Sequence, residues 1–385
     1  MKSFVNSSRM TAYNKLGAVA LFLSIFPISL RAADANDVNK EAAYIISCDK
    51  LDADMEGKTV YMMLYDTNQR VDSAKVKDGK FILKGTIPES SYARLDLDRR
   101  YANCIAGEGE VVVDFETHLP VTGNKVNMLY KQTENELTES DKEQSVKADS
   151  LRKLDIPQEE KFALLKETFA PYFDSLRKMF IERIRENDHN GAGYALTLMC
   201  YNACCFENPE KWNEVYSELS DWLKSHKQIQ RINNSMKAIL KTSEGCMFAD
   251  LNGETVDGLP AKLSDYVGKG KYVLVDFWAS WCGPCIAEAK STLMPLHEKY
   301  KDSENFMILG AATWDGKDAT LKAIDKHGFE WQHILGLGQA PMQEYGFSGI
   351  PMIILFGPDG QILKRDLRGE RLVMEVEKVA QLPNK

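Results

Sequence analysis

Short runs that alternate between apolar and polar residues fill the first part of the chain after residue 40. They have the two-residue period of half-buried strands and are rich in β-branched and aromatic residues. The clearest runs are TVYMMLYD, AKVKDGKFILKG, YARLDLD and GEVVVDFET. In the second run, the pair Asp78-Gly79 is a strong signal for a β-hairpin between two strands. Residues 40–123 are therefore predicted to form a small antiparallel β-sheet or β-sandwich domain.

The apolar period lengthens to that of a helix after residue 123. One long segment carries a stripe of apolar residues at helical spacing: Phe162, Leu165, Phe169, Phe173 and Leu176. We interpret this stripe as core packing. Pro157 and Pro171 are predicted to help divide the region into several helices. Residues 124–244 are thus predicted to be a helical region.

Strand-like and helix-like patterns alternate over residues 245–385, which predicts an α/β domain around a mixed sheet. The strands are KYVLVDFW, NFMILGAA, PMIILF and QILKRDL. Helices are predicted from Gly283, from about Asp318 to His327, and at the end of the chain. The chain as a whole is predicted to be multidomain, with a β-sandwich, a helical middle and an α/β domain.

The N-terminal stretch has the composition of an export signal. Its basic residues, Lys2, Arg9 and Lys15, precede or border an apolar run from Leu16 to Leu30 and the small-residue stretch RAADA. Cleavage after Ala32 or Ala35 would fit, so residues 1–35 are predicted to be a cleaved signal peptide. The alternative is an uncleaved N-terminal membrane anchor, but the run is shorter than the ~20 residues that a span needs and contains Pro27. The predicted location is periplasmic or otherwise extracytoplasmic.

Composition narrows the possible partners. The chain has 385 residues, 44% of them hydrophobic, and a net charge of -8. It has no cluster of basic residues interleaved with aromatics, so a nucleic-acid partner is not expected. Export also changes how the eight cysteines are interpreted, because disulfides persist outside the cytosol and rarely inside it.

Two of these cysteines occupy a position suited to redox chemistry. Cys282 lies where the strand KYVLVDFW meets the predicted helix, and Cys285 follows one turn later. The free N-H groups and the dipole of a helix N-terminus favour a thiolate. Cys282 is therefore predicted to attack a disulfide and Cys285 to resolve the mixed disulfide that results. Trp281 and Pro284 are expected to shape the surface around an exposed Cys282 sulfur.

The segment VLVDFWASWCGPC resembles the active site of thioredoxins. The flanking segments LNGETVDGLPAKLSDYVGKGKYVLVDFW and RDLRGERL are similar to the exported, TlpA-like branch of that fold, within the alkyl hydroperoxide reductase/thiol-specific antioxidant superfamily. The sandwich followed by VTGNKVNMLY resembles an N-terminal domain often fused to this branch. The resemblance implies a thioredoxin fold for residues 245–385 and the activity of a thiol-disulfide oxidoreductase, and the Gly283-Pro284 pair implies that it acts as a reductant.

The resemblance also implies roles for further residues. YGFSGIPMIILFGPDGQIL is similar to the segment in which a cis proline faces the cysteine pair, which assigns that position to Pro351. Asp276 corresponds to a buried acid that accepts the proton of the resolving cysteine, and its strand period places it on the face shared by Leu274 and Trp278. A buried carboxyl should have a raised pKa. The alternative for Asp276 is an aspartate that caps a neighbouring backbone group. Glu288 corresponds to a glutamate that tunes the pair, although a helix-complementing surface carboxylate is an equal alternative.

The sequence departs from the thioredoxin pattern in two places. Lys290 stands where a helix-kinking proline is usual, with Pro295 later, so the helix is expected to bend elsewhere. The strand MILGAATW offers no lysine to pair with the buried acid.

The remaining cysteines and histidines are interpreted as structural. Cys200, Cys204 and Cys205 suggest metal binding by their spacing, but no second ligand pair has zinc-type spacing, so buried packing is favoured. Cys48 and Cys104 could form a disulfide, which the sequence does not decide, and the state of Cys246 is equally open. His297 and His327 are expected to be surface or packing residues. No cofactor and no metal is predicted.

The predicted partners are disulfide-containing exported proteins as substrates and, by analogy, a membrane thiol protein as electron donor. Two other enzyme classes are rejected. Ile286 replaces a residue that the motif of papain-like cysteine proteases needs, and Ala279 replaces one that the peroxiredoxin motif needs. The remaining alternative is an exported binding protein that uses a thioredoxin domain as a docking scaffold.

Overall fold

The computed structural model describes residues 41–380. The predicted signal peptide lies outside this range. The described chain forms two compact units. The first runs to Phe206 and includes Lys211–Gln230, and the second contains Glu207–Glu210 and the residues from Arg231 onward. The predicted domain boundaries at residues 123 and 244 stay predictions, because these units group the segments differently.

The first unit contains the β-sandwich that the alternating pattern predicts. Its strands are β1 (Ala42–Cys48), β2 (Thr59–Leu64), β3 (Arg70–Lys75), β4 (Phe81–Ile87), β5 (Ser91–Leu97), β6 (Arg100–Ala106), β7 (Gly109–Val113) and β8 (Pro120–Gly123). One sheet has the order β4-β1-β7-β8 and the other β3-β2-β5-β6. Inward-facing residues of both sheets, such as Ile46 and Met62, share one core. Every pairing is antiparallel except that between β1 and β7.

The hairpin turn predicted at Asp78-Gly79 is present, closed by an antiparallel bridge between Lys77 and Lys80, but the strands that flank it, β3 and β4, belong to different sheets. Both residues have positive φ, at 53° and 70°. The backbones of Lys77 and Lys80 exchange hydrogen bonds across the turn. The chain then moves from β3, which pairs with β2, to β4, which pairs with β1. A short hairpin at the sandwich edge thus carries the chain from one layer to the other.

The helical region begins in the same unit. Its elements are α1 (Lys125–Arg152), α2 (Gln158–Arg185), α3 (Gly191–Cys200), a π turn (Tyr201–Cys205), α4 (Pro209–Glu218), α5 (Asp221–Ser225) and α6 (Lys227–Lys241). The prediction that Pro171 separates helices is wrong, since Pro171 lies inside α2. Pro157 does precede the helix, at its N-cap. Helix α2 continues through Pro171 because packing on both sides, at Phe169 and Phe180, holds it in place.

The predicted apolar stripe of α2 is buried only in part. Phe169 is buried, Leu165, Phe173 and Leu176 are half-buried, and Phe162 is 60% exposed. The buried residues of α2 lie mostly in its second half, where Phe180 and Ile184 are fully covered. The helical period was therefore correct, whereas full core packing of the stripe was not, because neighbouring elements cover only part of the helix.

The second unit contains the predicted mixed sheet, with the strand order β13-β12-β11-β14-β15. These strands are β11 (Tyr272–Trp278), β12 (Phe306–Ala312), β13 (Gln332–Ile334), β14 (Met352–Phe356) and β15 (Ile362–Lys364), and a small two-stranded sheet is formed by β9 (Asn252–Glu254) and β10 (Pro260–Lys262). Strands β11, β12 and β13 are parallel, and β14 and β15 run antiparallel to their neighbours. The helices are α7 (Gly283–Glu288), a π turn (Ala289–Leu293), α8 (Met294–Tyr300), α9 (Lys317–His327), α10 (Ala340–Tyr345) and α11 (Gly369–Ala380).

The central strand β11 divides its side chains between two cores. Val273, Val275 and Phe277 pack in one apolar cluster, and Leu274 and Trp278 pack in the other together with Cys282 and Cys285. This is the division that the two-residue period predicts. Asp276 therefore lies on the side of the sheet that carries the cysteine pair. Among residues 41–380, no helix combines the length and the apolar character that crossing a membrane requires.

Candidate active site

The cysteine pair lies at the junction between β11 and α7. Cys282 is the N-cap residue of α7, and Pro284 occupies the first turn, where its missing N-H group is not needed. Cys282 and Cys285 form a disulfide, with their Cα atoms 5.3 Å apart. The backbone N-H of Cys285 donates to Cys282 Sγ at 3.2 Å. The same N-H group would stabilise a Cys282 thiolate after reduction.

The outer sulfur is less exposed than the sequence suggested. In the disulfide form Cys282 is only 4% exposed, and Cys285 is 1% exposed. Cys282 Sγ lies 3.7 Å from the carbonyl oxygen of Ile350, on the loop opposite the pair. Trp281 beside the pair is 61% exposed, and its indole N-H donates to the Trp314 carbonyl at 3.1 Å. The Ile350 loop therefore covers the sulfur, while Trp281 presents the open surface.

Pro351 lies on this covering loop. The Ile350–Pro351 peptide bond is cis, which is the geometry that the resemblance implied for this position. The carbonyl oxygen of Pro351 accepts a hydrogen bond from Arg368 Nη2. Arg368 also donates to the Leu367 carbonyl at 2.7 Å, so one side chain ties the loop to the segment that precedes α11.

Asp276 lies behind the cysteine pair in the interior of the unit. It is 3% exposed, and its Oδ1 atom has no hydrogen-bond partner among the described residues. Burial raises the pKa of Asp276 to about 7, the positive charge of Arg368 acts to lower it, and the negative charge of Glu288 acts to raise it. The carboxyl group can therefore change its protonation state near neutral pH, as a proton acceptor for a thiol must.

Glu288 has a defined structural contact. Its Oε1 atom accepts a hydrogen bond of 2.8 Å from the backbone N-H of Gly369, the first residue of α11. A carboxylate at a helix N-terminus is favoured by the dipole and by the free N-H groups there. The structure thus gives Glu288 a partner on a different helix, and its charge still acts on Asp276.

Downstream of the pair, the α-helix is interrupted although position 290 is not a proline. A π turn at Ala289–Leu293 separates α7 from α8, and Pro295 lies in the first turn of α8. A π turn is a common cause of a helix bend. Lys290 itself lies within this π turn, so the interruption falls where a proline is usual, and a bend elsewhere in the helix stays a prediction.

Sequence reasoning assigned no role to two residues near Asp276. Arg368 lies within the segment RDLRGERL, which was used only as a sign of resemblance. His333 lies two strands away from Asp276. Asp276 on β11 pairs with Gly310 on β12, and Gly310 pairs with His333 on β13, so the three residues form one row across the sheet. The imidazole fills the space that a side chain at position 310 would need. Burial lowers the pKa of His333 to about 4, and a contact with the Phe329 backbone acts in the opposite direction. Only the strand pairing could have revealed this row.

The other cysteines of the described residues are free thiols: Cys48, Cys104, Cys200, Cys204, Cys205 and Cys246. The possible Cys48–Cys104 disulfide is therefore not present. The sulfurs of Cys200, Cys204 and Cys205 are buried close together. His297 and His327 each contact an aromatic ring, Trp331 and Phe329 respectively, as packing residues do.

Comparison with known families gives two matches along the chain. Residues 245–365 match the AhpC/TSA family. Residues 49–130 match a domain of unknown function, DUF4369. The first match covers the strand, helix and loop that carry the cysteine pair and Pro351, and the second covers most of the β-sandwich.

The similar curated proteins are thiol-disulfide oxidoreductases. The chain is 28% identical over 122 residues to the thiol-disulfide oxidoreductase ResA of Bacillus subtilis, covering 32% of this chain and 66% of that protein, which is just under two thirds. It is 28% identical over 138 residues to ResA of Bacillus thuringiensis, covering 36% of this chain and 73% of the relative. This is the enzyme class that the sequence predicted.

Two solved structures of Bacteroides proteins are also similar. The thioredoxin domain of a thiol-disulfide oxidoreductase from Bacteroides vulgatus is 34% identical, with a TM-score of 0.33, and the match covers 35% of this chain and 96% of that domain. A thiol:disulfide interchange protein from a Bacteroides species is 32% identical, with a TM-score of 0.34, and covers 38% and 95% of the two chains. Together with the family match, the sequence relatives identify residues 245–365 as a thioredoxin-like domain of the AhpC/TSA family, homologous to the ResA thiol-disulfide oxidoreductases.

Proposed function

We propose that this protein is an exported thiol-disulfide oxidoreductase that reduces disulfides in other exported proteins. The observation that supports this most is the Cys282–Cys285 disulfide at the start of α7, with Asp276 buried behind it. A dithiol at this position can exchange electrons with a substrate disulfide. The proposal of export rests on the basic and apolar pattern of residues 1–35.

The proposed cycle begins with the reduced pair. The Cys282 thiolate attacks a substrate disulfide, and the leaving substrate thiolate takes a proton from solvent. The Cys285 thiol then transfers its proton to the Asp276 carboxylate and attacks Cys282 Sγ. This releases the second substrate sulfur as a thiolate, which takes a proton from solvent, and forms the Cys282–Cys285 disulfide, after which Asp276 returns its proton to solvent. We propose that a membrane thiol protein then reduces the pair again.

The other site residues have positioning roles in this proposal. The Ile350–Pro351 loop covers Cys282 and would have to share that space with the substrate chain. Trp281, which is largely exposed, supplies an apolar surface beside the sulfur for an incoming polypeptide. Glu288 contributes through its charge, which favours the protonated form of Asp276.

The division of labour between the two sulfurs predicts opposite phenotypes for two variants. Cys282→Ser should abolish reduction of a model disulfide, because the attacking atom is lost. Cys285→Ser should retain attack and accumulate mixed disulfides, which non-reducing gels and mass spectrometry detect. Cys246→Ser, at a partly exposed cysteine of the same unit, is the matched control and should behave as the unmodified protein. Alkylation of Cys285 in preference to Cys282 by iodoacetamide at neutral pH would reverse the assignment.

The reductant role predicts a low reduction potential. The Gly283-Pro284 pair resembles that of thioredoxin, whose potential is about -270 mV, and we expect a value within roughly 50 mV of it. Equilibration in glutathione redox buffers, followed by alkylation and mass spectrometry, measures the potential. A value above about -180 mV, the level of protein disulfide isomerase, would contradict a reductant and favour an oxidant.

A further inference from the structure

A second group of sulfurs lies in the first unit, in a chain segment that the redox proposal does not use. Cys200 ends α3, and Cys204 and Cys205 lie in the π turn that follows. Their Sγ atoms all lie within 4.8 Å of one another, and all three residues are buried. The Cys200 and Cys204 sulfurs are 3.6 Å apart, and those of Cys204 and Cys205 are 4.0 Å apart. We call these three residues the thiol cluster.

The π turn brings the third sulfur into the cluster. In an α-helix a residue five positions onward points about 140° away from the first, so Cys205 would face away from Cys200. A π turn forms its hydrogen bonds between residues five apart and is wider, which brings position i+5 back beneath position i. Cys204 and Cys205 therefore both lie under Cys200. π turns are rare and occur often at functional sites.

The spacing of the sulfurs fits a metal ion. Three sulfurs bound at about 2.3 Å to one ion lie about 3.8 to 4.0 Å from each other. Two of the three observed separations, 3.6 and 4.0 Å, differ little from this, and the third, between Cys200 and Cys205, is no more than 4.8 Å. The thiols now point partly at carbonyl oxygens, with Cys204 Sγ 3.2 Å from the Cys200 carbonyl and Cys205 Sγ 3.5 Å from that of Lys211. Small rotations would turn all three sulfurs toward a common centre.

One buried cation lies near the thiol cluster. The guanidinium of Arg177 is almost fully buried nearby, where Asp174 and Glu214 bind it at 2.5 and 2.6 Å. The positive charge of Arg177 therefore acts near the sulfurs and favours a bound thiolate, while Asp174 and Glu214 offset part of that charge.

We propose that the thiol cluster binds one Cu(I) ion. Thiolate sulfur is a soft ligand that selects Cu(I), zinc or iron-sulfur clusters. Structural zinc sites are almost always tetrahedral with four protein ligands, whereas the described residues bring only three sulfurs together here. Cu(I) can be bound by three sulfurs, which is the number present here. Because Cu(I) carries one positive charge and Zn²⁺ carries two, fewer thiolates are needed to neutralise it. Binding releases thiol protons, as in other thiolate sites.

The test uses the full chain carrying Cys282→Ser and Cys285→Ser, so that the redox pair does not bind the metal. The reduced protein is titrated anaerobically with Cu(I) in the presence of bicinchoninate, a chelator whose Cu(I) complex is coloured. We expect uptake of about one ion per chain, with an ultraviolet thiolate-to-copper band. Because the redox pair is absent, the result does not depend on the proposed oxidoreductase activity.

Two further substitutions in this background locate the ion. Cys204→Ser and Cys205→Ala should each reduce the uptake to background and remove the ultraviolet band. Cys104→Ser is the control: it makes the same cysteine-to-serine change at a fully buried residue outside the thiol cluster and should leave the copper uptake unchanged. Circular dichroism confirms that each variant is folded. Unchanged uptake in either cluster variant, no uptake by the parent, or uptake of Zn²⁺ in place of Cu(I) would overturn the proposal.

Discussion

Replacement of Asp276 by asparagine is expected to slow release of the mixed disulfide by roughly 10- to 100-fold, the lower range for lost proton transfer. Attack by Cys282 should remain largely intact, because it does not need this proton acceptor. Cys285 is almost fully buried, so its thiol proton cannot pass quickly to water. Asparagine keeps the shape of the side chain but cannot accept the proton. Stopped-flow measurements with a disulfide peptide separate attack from release.

The pH dependence adds a second readout to this experiment. Burial raises the pKa of Asp276 to about 7, with Arg368 and Glu288 acting in opposite directions. Release in the unmodified protein should therefore slow as the pH falls below about 7, because the carboxyl group becomes protonated and cannot accept a proton. This dependence should be absent in Asp276→Asn. If release at pH 7 is unchanged in Asp276→Asn but slowed in Glu288→Gln, then Glu288 is the acceptor and the assignment is wrong.

Asp276→Asn is also expected to stabilise the second unit at alkaline pH. The pKa of Asp276 is about 7 in the folded protein and 3.8 without burial, so the native state binds more protons than the unfolded state between these values. Stability of the unmodified protein therefore falls as the pH rises from about 4 to about 7 and then stays level. The shift corresponds to an upper limit of about 4 kcal/mol. We expect a gain of about 2 to 4 kcal/mol for the variant at pH 8 and little difference at pH 4.

Hydrogen exchange followed by mass spectrometry can measure this gain locally. Because the chain has two compact units, a single unfolding transition for the whole protein is not assumed. Protection of peptides from β11 and β12 in the oxidised protein reports on the second unit. Asp302→Asn, at an exposed aspartate of the same unit, is the control and should show no such gain. If Asp276→Asn and the unmodified protein are equally protected at pH 8, the buried charge of Asp276 does not destabilise the second unit, and this prediction is wrong.

The active-site junction shows how much local physics can predict. The two-residue period of VLVDFW placed Asp276 on the face shared with Leu274, and the cluster on that face contains both cysteines. The Cys-Gly-Pro-Cys order placed Cys282 at the N-cap and Pro284 in the first turn. These features depend on backbone period and capping, which involve residues close together in the chain. For that reason they can be read from the sequence.

Features that depend on distant residues could not be predicted in this way. The Ile350 loop lies 68 residues from Cys282, yet its carbonyl group covers the sulfur. The Glu288 contact spans 81 residues, and the row of Asp276, Gly310 and His333 depends on the order of three strands. None of these contacts leaves a periodic trace in the sequence. They arise only when the sheet and its covering helices pack together.

The first unit shows the same division between local and tertiary control. Alternation predicted its strands and the turn at Asp78-Gly79, since both depend on short-range geometry. Proline was expected to end a helix at Pro171, but burial of Phe169 and Phe180 on either side keeps α2 continuous. The sequence also placed Cys200 and Cys204 one helical turn apart. Only the π turn, which the tertiary structure decides, brings the Cys205 sulfur to the same point.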